Sequence, residues 1–343
     1  MPPSAKSAEM VPMNKVARMA AAERRDLFQE SARERGTNPA VIEKDFWVCW
    51  VLKQLFSDSE IGTRLVFKGG TSLSKVFGLI ERFSEDIDLV LDWQLLGYGP
   101  EQEDPYQDFE SKGKQDRFNK SINRKATDYI AGTLTPKLQR LFSNCAEIQV
   151  SVDTTDPQAL NVAYPAAFSQ DYLRPEVRLE IGPLASWVPS GRHVIQPYAA
   201  ETFPTVFEEP NCPVVAIAAE RTFWEKATIL HQEAHRPGVM PSRHSRHYYD
   251  TFKLAESPIR QRAIEDSKLL RQVVEFKQRF YPCRWARYED AKPGTFRLVP
   301  DAERHSVLRR DYREMEMMIF GETPKFATVI DALQGLEDQI NGR

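Results

Sequence analysis

The sequence predicts an α/β (α+β) protein of two domains, the first half α/β and the second mainly helical. Three observations carry this. The stretch RLVFKGGTSLSKVFGLIERFSEDIDLVLDW reads as strand, glycine turn, helix and strand. Ile148–Asp153 and Val177–Ile181 alternate apolar with polar residues, the period-2 signature of a half-buried strand. After Pro213 the pattern changes to long helical periodicity. The 343 residues suit about two domains at ~100–200 residues each.

The elements follow in order. Residues 1–12, rich in Pro, Ser and Ala, are expected to be a disordered tail. Met13 to about Arg35 reads as a helix through Val16, Met19, Ala20, Leu27 and Phe28, ended by Gly36. A second helix starts at Asn38-Pro39, where proline suits the first turn, and continues through Ile42, Phe46, Cys49, Trp50 and Leu52. Strand Arg64–Phe67, turn Gly69-Gly70, helix Ser72–Ile80 and strand Ile87–Leu91 come next. Residues 94–123 are polar and read as a loop or insertion, running into a helix near 115–142. A Pro- and Ala-containing connection separates the strands at 148–153 and 177–181, and residues 192–215 hold one more short strand. AIAAERTFWEKATILHQEAHR, 244–256 and 258–280 read as helices, 281–300 as irregular or hairpin, and the rest as helical. The domain boundary is placed near residue 205, giving units 13–205 and 206–343.

Composition narrows the function. A net charge of −3 and 28% charged residues give no global attraction for nucleic acid or anionic membrane, so a bound polyanion needs a local basic patch. The four cysteines form no CxxC pair and lack zinc-spaced histidine partners; they are expected to be packing residues of a reducing compartment. The start lacks the apolar core of a secretory signal, and no apolar run approaches the ~20 residues of a membrane span. A cytoplasmic protein without membrane partners is the expectation.

The most informative residues are Asp86 and Asp88. One residue apart on a strand, both carboxylates share a face, while Ile87, Leu89 and Leu91 take the other. A hard divalent cation relieves their repulsion, and magnesium is typically held by one or two carboxylates plus substrate phosphates. Taken alone, an Asp-x-Asp is better explained as a solvated strand face, since acidic strings of this kind are common. The preceding turn changes the balance. Gly69 and Gly70 let the backbone approach a ligand, and free N–H groups with the Thr71 and Ser72 hydroxyls form an anion cradle. Without the carboxylates this would be a plain turn with an N-cap. Together they suit the two ends of a nucleotide–magnesium complex. No GxxxxGK[ST] loop is present.

The FKGGTSLSK…ERFSEDIDL string resembles the AbiEii/AbiGii (MenT-like) toxin branch of the DNA polymerase β-type nucleotidyltransferases. Glu43-Lys44-Asp45-Phe46-Trp47 is similar to that family's N-terminal segment, Thr222-Phe223-Trp224-Glu225-Lys226-Ala227 to its later Glu-Lys motif, and Arg246-His247-Tyr248-Tyr249-Asp250 to its Arg-x-x-x-Asp motif. These cover roughly residues 40–255. The resemblance implies an N-terminal polymerase β-like nucleotidyltransferase domain with a mixed sheet. It implies a nucleoside triphosphate (NTP) substrate and Mg2+ (or Mn2+) on Asp86 and Asp88.

Glu180 is the expected third carboxylate, for a second metal or the attacking hydroxyl. Its bland alternative is an exposed strand residue paired with Arg178. The resemblance places Lys226, with Arg246, near the triphosphate, and lets Asp250 orient Lys226 or Arg246 or touch the nucleotide. Without it, Lys226 would be a surface lysine and Asp250 a helix-face carboxylate. Asp92 shares the carboxylate face and is a weaker candidate. His231 and His235, four apart, lack the HExxH pattern and are discounted as a zinc pair. SRHSRH (242–247), with Arg236, could contact nucleic-acid phosphates. A second basic set, Arg271, Lys277, Arg279, Arg284 and Arg287, reads as a solvated face.

The resemblance further implies a toxin–antitoxin or phage-defence role, a tRNA 3′ end as acceptor, and a separately encoded antitoxin, often of winged-helix type. Other readings stay open: a protein or small-molecule acceptor, favoured by the acidic pI, or a regulator that binds NTP without transfer. A metal nuclease is disfavoured because Glu180 is followed by Ile-Gly and not by an ExK pairing.

Overall fold

The structure, a computed structural model, describes residues 11–84, 86–99, 101–143, 147–168 and 174–343. The expected tail at 1–10, Cys145, and Glu85 of the string quoted above lie outside them. Strands in chain order are β1 (Val11–Pro12), β2 (Leu65–Lys68), β3 (Asp86–Leu91), β4 (Gln149–Val152), β5 (Ala159–Ala163), β6 (Glu176–Gly182), β7 (Ser190–Ile195), β8 (Phe207–Glu208) and β9 (Cys212–Ile217). The helices are α1 (Met13–Arg18), α2 (Ala21–Arg35), α3 (Pro39–Ser57), α4 (Gly69–Lys75), α5 (Lys112–Tyr129), α6 (Thr135–Phe142), α7 (Tyr198–Thr202), α8 (Ala219–Ala234), α9 (Ser245–Glu256), α10 (Ile259–Glu265), α11 (Ser267–Phe280), α12 (His305–Glu316) and α13 (Phe326–Asn341).

Seven strands form one mixed sheet in the order β4-β5-β6-β3-β2-β9-β7. β3 runs antiparallel to β2 and parallel to β6, and β2 runs parallel to β9. Strand alternation gives the sheet two different faces. Leu65, Phe67, Ile87, Leu89, Leu91, Leu179 and Ile181 join the large core built on α3. The opposite face carries Lys68, Asp86, Asp88, Arg178 and Glu180 at one end and a small apolar set, Val66, Val90, Ala185 and Ile217, at the other. A second core gathers α8 to α13 and takes Leu73 and Ile80 from the first half, while Phe276 and Phe280 of α11 join the first core. Each half therefore completes packing begun by the other.

Several expectations change. Val11–Pro12 is not tail but pairs in parallel with Phe207–Glu208. The helix expected over 13–35 breaks at Met19-Ala20, where Glu23 Oε2 accepts the Ala20 N–H at 3.2 Å. The Pro/Ala connection contains β5, whose alternation over five residues is too short to stand out. Residues 216–217 are strand, because β9 pairs beside β2 and buries Ala216 and Ile217. The sheet thus extends past residue 205, and the change to all-helix falls at Ile217. The 258–280 helix is two, separated at Asp266, whose carboxylate caps α11 through Leu269 N at 2.9 Å. The helix near 115–142 begins earlier, at Lys112, capped by Ser111.

The segment Glu43-Lys44-Asp45 turns out to brace the fold. α3 is buried on nearly every side, so its charged residues need internal partners. Glu43 accepts the N–H groups of Ala167 (2.7 Å) and Phe168 (3.1 Å). Lys44 Nζ donates to Arg174 O at 3.1 Å. Asp45 pairs with buried Lys75 at 2.8 Å, pinning the end of α4 to α3. No helix among the described residues is long and apolar enough to cross a membrane.

Candidate active site

Gly69, Gly70, Asp86, Asp88, Glu180, Lys226 and Arg246 line one cavity of about 140 Å3 on the polar sheet face. Residues far apart in sequence meet because β2, β3 and β6 are adjacent and α8 and α9 cross above them. Glu180 stands in register with Asp88 across the parallel β3–β6 pair, and Lys68 stands opposite Asp88 on β2. Like charges and cations therefore alternate around one carboxylate.

Burial pushes the Asp88 carboxyl above its usual range; Glu180 adds to this, while Lys68, Lys226 and Arg246 oppose it. Lys68 is shifted the other way. Burial disfavours its ammonium, but Glu225 and Asp88 outweigh this and raise it. Asp88 is thus a carboxyl whose ionised form the surrounding cations favour less than burial and Glu180 disfavour it. Glu180 is 45% exposed and accepts from Arg178 Nε at 3.3 Å, while Arg178 also binds Asp153 at 2.6 Å. Glu180 lines the Asp88 cavity and has Arg178 as a neighbour.

Among the described residues no three His, Cys, Asp or Glu side chains form a ready chelate. The donors still fit a hard dication of magnesium type, which takes one or two carboxylates and completes its shell with water and substrate phosphate. Asp86 and Asp88 supply those carboxylates from one strand face, and both line the same cavity.

The glycines are explained by this site. Gly69 has φ +80°, and a Cβ there would lie 1.9 Å from Asp88 Oδ2. At Gly70 a Cβ would stand 2.9 Å from both Arg82 Nη2 and Ser84 Oγ. These residues begin α4 instead of preceding it, so the helix expected over 72–80 starts three residues early and ends at Lys75. Thr71 and Ser72 are buried and do not line the cavity. Thr71 Oγ1 donates to Asp86 O at 2.5 Å, and Ser72 Oγ to Gly69 O at 2.9 Å. They hold the turn against β3, and of the four cradle residues the glycines face the cavity. Gly69→Ala is expected to displace the Asp88 carboxylate by about an ångström or more and lower turnover about a hundredfold. Gly70→Ala, whose Cβ would press on Ser84 and on the Arg82 guanidinium pinned by Asp250 and not on a metal-face carboxylate, should cost less. Side-by-side rates of the two variants test this.

Asp250 lies behind the cavity. Fully buried, it accepts from Lys226 Nζ (2.7 Å) and from Arg82 Nε (2.7 Å) and Nη2 (2.8 Å). Burial alone would raise its carboxyl, yet Arg82 and Lys226 hold it well below the usual carboxylate range. Burial lowers Lys226, helped by Arg82 and Arg246 and opposed by Asp250. Asp250 therefore positions Lys226 and Arg82, not Arg246, and stands away from the cavity. Asp92 leaves the candidate set: it pairs with Arg64 at 2.7 Å and caps the turn at Gln94 N.

Sequence reasoning passed over Lys68 and Arg82, both on the cavity wall, while Glu225 and His247, which also line it, lay inside strings already singled out. Lys68 and Arg82 sit inside the FKGG and ERFS strings, so the motifs contained them. Nothing in strand or helix periodicity marked them, since Arg82 lies in an irregular link.

His231 is a core residue with both ring nitrogens engaged: Nε2 with Arg287 O at 3.0 Å, and Nδ1 accepting Arg297 N–H at 3.0 Å. Burial pushes it down to about 4. A histidine kept neutral by folding contributes its full stability above its unfolded value near 6.5, and loses it as pH falls toward 4. The expected loss over that window is about 3 kcal/mol. Urea midpoints of the wild type should fall between pH 7 and pH 4.5, and the slope should flatten in His231→Gln.

Comparison with known proteins adds a family. A model described as "Nucleotidyl transferase AbiEii toxin, Type IV TA system" matches residues 50–333. No curated protein matches. Among solved structures, JHP933 from Helicobacter pylori is similar over 89% of this chain and 93% of its own, at 13% identity and a TM-score of 0.43.

Proposed function

This chain belongs to the AbiEii nucleotidyl transferase toxin family of type IV toxin–antitoxin systems, and from that premise we propose a magnesium-dependent NTP transferase acting on a tRNA 3′ end. The acceptor hydroxyl oxygen bonds to the α-phosphorus, the bridging bond to the β-phosphate breaks, and pyrophosphate leaves with the displaced electron pair. The observation that carries the reading is the shared cavity of Asp86, Asp88, Lys226 and Arg246 at the glycine turn.

Asp86 and Asp88 are the residues that would hold magnesium. When bound, the ion supplies charge stabilisation on the phosphate oxygens. Gly69 and Gly70 let the backbone approach the outer phosphates, and Lys226 and Arg246 neutralise them. Glu180 is the nearest carboxylate to take the hydroxyl proton or serve a second ion. Asp250 keeps Lys226 charged and in place. In this reading the sheet unit is of polymerase β type, and the helices after Ile217 form a second unit that brings Lys226 and Arg246 over it.

A cavity of about 580 Å3, walled by Arg243, Arg246, Met315 and Phe320, also borders Asp86. A cognate antitoxin, of winged-helix type by family resemblance, belongs to the same proposal.

The test is transfer of label from each NTP, radiolabelled at the α-phosphate, to total tRNA with Mg2+ and with chelator. Labelled tRNA only with Mg2+ is the expected result. Label appearing instead on protein or small-molecule fractions would replace the acceptor. NTP bound with no transfer to any fraction would leave a nucleotide-binding regulator.

A further inference from the structure

A second cavity, of about 460 Å3, adjoins the carboxylates on the side away from Arg246. Lys68, Glu225 and Ile229 line both spaces, so the two meet along that edge. Its charge is one-sided. Among the described residues, Lys68, Arg221 and Lys277 enter it against a single carboxylate, Glu225. Glu225 is committed to Arg221 Nε at 3.0 Å, while Lys277 Nζ reaches the Glu225 backbone carbonyl at 3.3 Å and lies 6.0 Å from the centre of the Tyr288 ring. Burial accordingly pushes Lys277 down to about 8, with Lys68 and Lys226 adding repulsion and Glu225 opposing. A pocket lined by three cations whose one carboxylate is already paired is a place where an anionic ligand belongs.

The far wall is different in kind. Phe276, Tyr281 and Tyr288 surround it, and the volume lies in the range of ~300–1,000 Å3 used by small-molecule sites. Flat apolar rings next to cations suit a base joined to phosphate. The larger cavity beside Arg246 lacks this asymmetry, because Arg82 is taken by Asp250 and Asp311 and Glu314 line it too.

We infer that the 460 Å3 cavity receives the nucleoside end of the NTP: its base lies among Phe276, Tyr281 and Tyr288, and its α-phosphate beside Lys68 and Lys277. The outer phosphates then extend into the Gly69–Lys226 cavity. The inference rests on the transferase reading and adds which residues select the nucleotide.

Cys283 lines the base end and is partly exposed, whereas Cys49 and Cys212 are buried. It therefore reports occupancy without any need for turnover. Iodoacetamide labelling of the Cys283 peptide, followed by mass spectrometry, is compared with no ligand, with each NTP plus Mg2+, and with inorganic tripolyphosphate. The bound NTP is expected to slow Cys283 alkylation severalfold, and tripolyphosphate to leave it unchanged. In parallel, equilibrium dialysis measures NTP affinity of the wild type, Lys277→Met and Lys277→Arg. Methionine should weaken binding about tenfold and arginine restore most of it, with melting curves confirming that each variant folds. NTP that binds the wild type yet leaves Cys283 unprotected overturns the placement and leaves the transferase reading standing. So does equal protection by tripolyphosphate, or equal affinity in Lys277→Met. Failure of every NTP to bind the wild type removes both.

Discussion

Asp88→Asn is expected to lower transfer about a thousandfold, which is about 4 kcal/mol of transition-state stabilisation, without lowering the melting temperature. The two halves of this result have one cause. Burial raises the Asp88 carboxyl, so its ionised form is disfavoured by the fold. A group raised in the folded state adds stability at low pH and loses it as pH rises through its folded value. At neutral pH the charge of Asp88 therefore costs stability, and asparagine removes that cost. Lys68 loses a neighbouring anion in exchange but keeps Glu225. Loss of activity with equal or higher stability marks a residue held in a strained state for function. A variant that lost both together would show Asp88 to be structural. Single-turnover transfer and calorimetric melting, run on the same preparations, separate these outcomes.

Asp250→Ala should show the opposite pattern: a stability loss of about 3–5 kcal/mol together with loss of transfer. The alanine leaves Arg82 and Lys226 as buried cations facing each other with no anion between them. Lys226, already lowered by burial, would lose its proton more readily and with it the charge proposed to meet the phosphates. The depressed Asp250 carboxyl contributes its stability above the usual carboxylate range, and this is lost only as pH falls below that range. Urea unfolding at neutral pH should show the full deficit. Raising the pH of the assay should further depress activity in Asp250→Asn, where Lys226 is weakly held. A variant with wild-type stability would contradict the reading of Asp250 as the anchor of this cluster.

The two aspartates of β3 and the two glycines that open α4 were legible because strand alternation and glycine's backbone freedom are local rules. Two residues apart on a strand means one face, whatever the rest of the chain does. The alternation at 177–181 likewise marked Glu180 as the polar member of a buried strand. The split into a sheet-bearing half and a helical half followed from the change in period, but its position did not. Ala216 and Ile217 read as the start of the helical run that follows, and pairing with β7 and β2 makes them the end of a strand.

Other features were beyond any local rule. Arg82 lies in an irregular link, and its role exists only because Asp250, from a helix more than a hundred and fifty residues later, ends beside it. Lys68 gains its meaning from the antiparallel register that sets it against Asp88. Glu43, Lys44 and Asp45 carried the look of a functional motif, yet burial of α3 turns them into internal braces. By itself the sequence determined which residue types the site contains and which strand presents the carboxylates, since those depend on backbone periodicity. Tertiary structure alone decided which charges face one another, because desolvation and Coulomb energy depend on distance and burial that no spacing along the chain encodes.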